Sequence, residues 1–225
     1  MTAKETHYGT GPLFKAAGLV YGVMVGGALL VLANALVVLM PLLAGFLGPV
    51  ALLGFVLVGP SLVAVCYAFN RLLAGEDTGV FHDFARSYRS NFGQAVVVWL
   101  PYAGLLAVIV ANLSSLPGSD LPSVAARMGL VGLGLLVCTA AVHAVLLLAR
   151  FDFRTVDIYR LSVYSIGAWK RVALGNAGIL FVAGFVLIST TVWLTLFVGG
   201  LIVYLLCLNS RPLLVRVEEK FTVAV

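Results

Sequence analysis

The chain has 225 residues, of which 62% are hydrophobic and 10% charged, and its mean hydropathy is +1.10. A soluble domain carries roughly 25% charged residues and about 45–50% apolar ones, so the composition describes an integral membrane protein and excludes a disordered chain, a collagen-like chain and a disulfide scaffold. The net charge of +5 fits basic residues retained in cytoplasmic loops and does not call for a nucleic-acid partner. Cys66, Cys138 and Cys207 lie inside apolar stretches without disulfide or zinc spacing and read as small packing residues.

The fold class expected is all-α: a polytopic membrane helical bundle of six transmembrane helices in three hairpins, with cytoplasmic amphipathic segments between them. The predicted spans, in chain order, are residues 16–40, 49–73, 93–113, 123–149, 174–193 and 194–215. Each offers about the 20 mostly apolar residues that a crossing requires. They must be helical, because lipid offers no partners for open backbone groups. The strict alternation of a membrane β-strand is missing from Val96-Val97-Val98-Trp99-Leu100 and Ala144-Val145-Leu146-Leu147-Leu148.

Ala33-Asn34-Ala35 has the small-x-small look of a signal-peptide cleavage site. The first apolar run outlasts the usual h-region of about 7–15 residues and continues past that point, so the span is expected to be retained. The stretch from Leu174 to Leu208 is apolar throughout. As one helix it would be about 52 Å long against a hydrocarbon core of about 30 Å. It is therefore predicted to fold back on itself, with the turn between Ser189-Thr190-Thr191 and Gly199-Gly200.

Six spans with both termini cytoplasmic place every Lys and Arg inside except Arg127, a strong positive-inside asymmetry. Five spans would carry Arg211, Arg216 and Lys220 outside and weaken it. The expectation is one membrane domain over residues 1–225, with cytoplasmic tails at about 1–15 and 216–225, in a bacterial cytoplasmic membrane. No water-exposed segment approaches the roughly 40 residues below which a chain seldom folds alone, so no soluble catalytic domain is expected.

The segment Val80–Phe92 carries Phe81, Phe84, Tyr88 and Phe92 on one helical face, with His82, Arg86 and Arg89 opposite. Aromatic and basic faces back to back describe a helix in the membrane interface. It is either a docking element for a partner protein or a surface helix that orients its neighbours. In the docking reading the contact residues are Phe81, Asp83, Phe84, Arg86, Tyr88 and Arg89. A second amphipathic segment, residues 152–166, places Val156, Tyr159, Val163 and Ile166 on one face.

Gly18, Gly22 and Gly26 recur every fourth residue in the first span, a spacing that lets helix backbones approach closely. The partner is a second copy of the chain or another helix of the same chain. Intramembrane polar residues often mark substrate routes, and the candidates here are Asn34, Ser61 and His143, with Thr139 and the hydroxyls of residues 189–195. His143 reads as a proton relay or as one helix–helix hydrogen bond.

No metalloprotease, serine-hydrolase or phosphate-loop motif occurs, and His7, His82 and His143 have no metal-ligand spacing. The expectation is a non-enzyme without cofactor.

Three segments carry a resemblance: Gly11-Pro12-Leu13-Phe14-Lys15 before the first span, Gly75-Glu76-Asp77-Thr78-Gly79-Val80-Phe81-His82-Asp83-Phe84 with Tyr88 and Asn91-Phe92 after the second, and Leu148-Ala149-Arg150-Phe151-Asp152 after the fourth. Over about residues 9–216 the chain resembles the YesL-like family of bacterial membrane proteins. That resemblance implies a domain of unknown function, often encoded beside carbohydrate ABC importers, and brings no established site residues. The expected role is an accessory membrane protein that docks on importer permease or ATPase subunits. The alternative is a small transporter or channel, which a water-accessible cavity lined by Asn34, Ser61 and His143 would favour.

Overall fold

The computed structural model describes residues 12–35, 49–76, 78–116, 120–189 and 192–221. Among them the chain forms helices only: α1 (Pro12–Ala33), α2 (Pro49–Ala74), α3 (Val80–Ser115), α4 (Leu121–Arg150), α5 (Thr155–Ala168), α6 (Lys170–Ser189) and α7 (Val192–Phe221). Pro12 and Pro49 open their helices and Pro122 stands at the start of α4. Proline suits a first turn because its missing N–H would have no partner there anyway. The expected connector at residues 41–48 and the end of the first span lie outside the described residues.

Among the described residues five helices are long and apolar enough to cross a bilayer, and six if the pair α5–α6, bent by 99°, is one span. The polytopic bundle read from hydropathy is therefore the observed one. α6 ends at Ser189 and α7 begins at Val192; Thr190 and Thr191, at the early end of the range expected for the turn, lie outside the described residues. Gly199 and Gly200 lie inside α7.

The segment Val80–Phe92 is not a separate interfacial helix. It is the beginning of α3, which runs unbroken for 36 residues. Gly93 alone costs a helix only about 1 kcal/mol, and the contacts of Phe84, Tyr88 and Phe92 run up to it. By contrast, α5 is separate: residues 151–154 are extended before it, and the chain turns sharply at Trp169 after it.

α2 is the hub of the bundle and touches α1, α3, α4 and α7. Its most extensive packing is with α3, across the turn at residues 75–79, although the two were assigned to different hairpins. α1 also packs on α7, so the first and last spans close the bundle. The best-buried side chains lie near the basic end: Val63, Val65 and Phe69 on α2, Leu146 and Leu147 on α4, and Leu213 and Val217 on α7. Toward the other end, many apolar side chains face outward, including Leu105 and Val108 on α3, Leu121 and Met128 on α4, Phe181 and Phe185 on α6, and Leu201 and Leu205 on α7. That inversion is expected where the surrounding solvent is hydrocarbon.

The glycine stripe of α1 packs within the chain. A methyl group at Gly22 would meet Leu72 and Val80, and one at Gly26 would collide with the Phe69 ring, whereas Gly18 meets nothing. The tightest crossing involves a glycine outside that stripe. A Cβ on Gly200 would lie 2.6 Å from the Gly27 Cα and 3.0 Å from the Val23 carbonyl oxygen. Backbone cannot yield as a side-chain tip can, and overpacking typically costs about 1–3 kcal/mol. Gly200→Ala is expected to lower the unfolding midpoint in detergent by several degrees, while Gly18→Ala and Gly199→Ala, which meet nothing, hold it or raise it slightly through helix propensity; a thermal melt of the three variants checks this.

Candidate functional site

The most distinctive sequence segment, from Arg71 to Phe92, builds a clasp between α2 and α3. Gly75 and Gly79 have φ of +75° and +107°, conformations that residues with a Cβ rarely adopt. Their turn brings Asp83, in the first turn of α3, back to the end of α2. The Asp83 side chain is fully buried. Thr78 donates to it twice, from its backbone N–H at 3.2 Å and its hydroxyl at 2.7 Å. Arg71 Nε lies 3.4 Å from Asp83 Oδ2. The same guanidinium donates to the Tyr67 hydroxyl and the Glu76 carbonyl and lies over the Tyr67 ring.

This arrangement divides the residues expected to contact a partner. Asp83 and Phe84 are buried by the chain itself and are not available for docking: the carboxylate is consumed by the clasp, and Phe84 stacks on Tyr88 at 5.7 Å. Tyr88 is half-buried and meets Phe92 edge-on at 5.5 Å. Phe81, His82, Arg86 and Arg89 remain exposed. His82 is within 3.2 Å of the Thr78 hydroxyl, and among the described residues neither Arg86 nor Arg89 has an ion-pair partner. Phe81 keeps the helical face of Phe84 and Tyr88 but, on the first turn of α3, is left exposed like the basic residues.

On α5 the expected apolar face is turned outward or lies at the edge: Val156 and Val163 are exposed, and Tyr159 and Ile166 are half-buried. The inward face carries Ile158, Ser162 and Ser165. Its hydroxyls meet polar side chains of the bundle, Tyr102 with Ser162 at 2.7 Å and His143 Nδ1 with Ser165 at 2.6 Å. Gln94 and Tyr159 tie α3 and α5 further, through the carbonyls of Phe153 and Val97.

The three intramembrane polar candidates do not converge. Asn34 donates to Ser61 at 2.7 Å, joining α1 to α2, while His143 serves the α4–α5 contact. A cavity of about 140 Å³ lies inside the bundle between α2, α3, α4, α6 and α7, lined by apolar side chains and two thiols, among them Leu62, Cys66, Trp99, Cys138, Val145 and Leu206. Neither Asn34, Ser61 nor His143 borders it. An apolar cavity of this size stays dry, so it offers no water-filled route of the kind a small channel needs.

Several buried polar residues escaped the sequence reading. Asn176 on α6 is fully buried and bonds to Ser210 at 2.9 Å and Asn209 at 2.9 Å on α7. Asn209 also reaches the Val172 carbonyl. Asn176 lies within its apolar run, and an asparagine there was the available signal. At the basic end, Tyr67, Asn70, Arg71, Glu76, Arg150 and Glu218 border a pocket of about 360 Å³. Arg150 and Glu218 pair across it at 2.7 Å. Among the described residues no group of His, Cys, Asp and Glu could hold a metal ion.

Residues 18–113 match the family described as "Protein of unknown function, DUF624". The match takes in most of α1, all of α2 and nearly all of α3, and therefore the whole clasp; it is consistent with the YesL-like resemblance. No curated protein and no solved structure matches the chain.

The clasp and the open strip respond differently to substitution. Asp83→Ala leaves both Thr78 donors and the Arg71 guanidinium without their acceptor and is expected to cost about 2–3 kcal/mol. Arg86→Ala and Arg89→Ala, on an exposed surface, cost less than about 0.5 kcal/mol. Unfolding of the three variants in detergent separates the two outcomes.

Proposed function

We propose that the chain is a non-enzymatic accessory protein of the bacterial cytoplasmic membrane, with both termini in the cytoplasm, that docks on subunits of a carbohydrate ABC importer. The observation that carries the reading is the open strip of Phe81, Arg86 and Arg89 beside the buried Arg71–Asp83 clasp. The clasp spends its charges on structure, while the two arginines of the strip spend none. A rigid helix that shows an aromatic ring and unpaired guanidiniums suits an acidic partner surface, because arginine and aromatic residues supply most interface hot spots.

The importer as partner rests on the YesL-like resemblance, and the orientation on the positive-inside asymmetry. The dry cavity and the scattered polar residues favour docking over independent transport.

Two measurements test the proposal. In a cysteine-free background, a cysteine at position 127 is expected to react with a membrane-impermeant maleimide on intact cells, and one at position 216 only after permeabilisation; the reverse pattern overturns the orientation. For the partner, the wild-type chain and an Arg86→Glu/Arg89→Glu variant are purified from native membranes. Importer subunits are expected with the wild type and at least tenfold less with the variant, at equal chain levels. Absence of those subunits from the wild-type preparation, with sugar uptake unchanged on deletion, overturns it.

A further inference from the structure

The pocket where α2, α4 and α7 end together is unlike the rest of the bundle. It holds about 360 Å³ and is bordered by side chains of both signs, Arg71 and Arg150 against Glu76 and Glu218. Arg71 is committed to Asp83, the Glu76 carbonyl and Tyr67, which leaves Arg150 as the cation with freedom to move. Arg150 pairs with Glu218, and both side chains are substantially exposed, 36% and 51%. An ion pair so open to solvent contributes little stability and can part without disturbing the fold. Asn70 borders the same pocket, and its Nδ2 is buried without a hydrogen-bond partner. A buried amide donor without an acceptor is uncommon, and its place here asks for an oxygen from outside the chain.

These features select the ligand's chemistry. A simple anion would find Arg150 and Asn70 but also two carboxylates. A simple cation would find the carboxylates but also two guanidiniums. We propose that the pocket binds a zwitterionic aminophosphate group, of the phosphoethanolamine class, inserted into the Arg150–Glu218 pair. The phosphate takes two donors of the Arg150 guanidinium, whose planar fork matches phosphate geometry, together with the spare Asn70 N–H. The ammonium takes Glu218, with Glu76 on the same rim. Each half of the opened ion pair thus gains an opposite charge in place of the one it gave up. Pockets between transmembrane helices that hold basic residues at the membrane surface are suited to lipid headgroups. The same chemistry is also carried by a soluble phosphoethanolamine ester. This inference does not depend on docking through Arg86 and Arg89.

The experiment uses the full chain in detergent, with four probes: dioleoyl phosphatidylethanolamine, dioleoyl phosphatidylglycerol, glycerophosphoethanolamine and inorganic phosphate. Binding is read from the shift in thermal unfolding and from titration calorimetry. The ethanolamine probes are expected to bind at least tenfold more tightly than the phosphatidylglycerol and phosphate probes. A response to the lipid but not to its soluble headgroup ester assigns the bilayer as the source, and equal responses assign the aqueous phase. Arg150→Gln and Glu218→Gln are each expected to abolish that preference while leaving the ligand-free melt nearly unchanged, and Asn70→Leu to weaken ethanolamine binding at least tenfold. Should Arg150→Gln fail to fold, Glu218→Gln decides alone: tighter binding of phosphatidylglycerol or phosphate than of the ethanolamine probes in wild type, or strengthened ethanolamine binding in Glu218→Gln, marks a plain anion site and overturns the proposal. No binding of any probe to the wild type overturns it as well.

Discussion

Helices in a bilayer gain little by hiding apolar surface from lipid, which is as apolar as they are. Their association rests on close backbone approach and on hydrogen bonds between them, and the helix pairs described here show one or both. Gly27 and Gly200 let α1 and α7 touch, and Gly59 makes room for Trp99 between α2 and α3. Asn34–Ser61 joins α1 to α2, Tyr102–Ser162 joins α3 to α5, His143–Ser165 joins α4 to α5, and Asn176–Ser210 joins α6 to α7. Each pair includes a serine, whose short side chain is reached only when the helices are already close. Cohesion accounts for one polar atom of Asn34 and one of His143, while Asn34 Oδ1 and His143 Nε2 stay buried without a partner.

The same economy governs the ionised groups. Asp83 is tolerable in the interior because Thr78 supplies two donors and Arg71 a counter-charge. Removal from water costs a carboxylate several kcal/mol, and here two donors and a counter-charge repay it at the one place where α2 must reverse into α3. The glycines at 75 and 79 belong to the same device, since their positive φ values aim the chain so that residue 83 returns to residue 71. Most of the segment that looked most like a recognition motif is thus spent on building a turn. Its exposed remainder, Phe81 with Arg86 and Arg89, is what is left to meet another molecule.

Hydropathy made the spans legible, because a length requirement near 20 residues is a strong filter. It also separated α6 from α7 without a turn motif, since one helix of that length would overshoot the bilayer. Side-chain direction was harder to read. A helical wheel assumes that apolar faces turn inward, and α5 reverses the rule: Val156, Val163 and Tyr164 face outward while Ser162 and Ser165 are fully buried. The assumption fails because Tyr102 and His143 of the bundle claim the two serines, while the outer face mixes those apolar side chains with the exposed Asp157 and Arg160. The aromatic face of residues 81–92 misled in a related way. Phe84 stacks on Tyr88, which meets Phe92 edge-on along α3, while Phe81, at the start of the same face, stays exposed. Spacing alone could not show that α2 comes close enough to claim the Phe84 side and leave Phe81 outside.

The length of α3 ties architecture to use. Its 36 residues amount to about 54 Å of helix, against a hydrocarbon core of about 30 Å. Its apolar stretch from Val97 to Val110, with one exposed face, extended to the helix end at Ser115, fills that core, and the surplus falls at the basic end. There the helix is held to α2 by the clasp, so its basic strip stands on a fixed support. A loop in the same position would lose conformational entropy when it bound; a clasped helix has lost it on folding. In the proposed docking, the rigidity that Asp83 gives the turn would also pre-organise Arg86 and Arg89. Burying the one charge and exposing the other two are parts of a single arrangement.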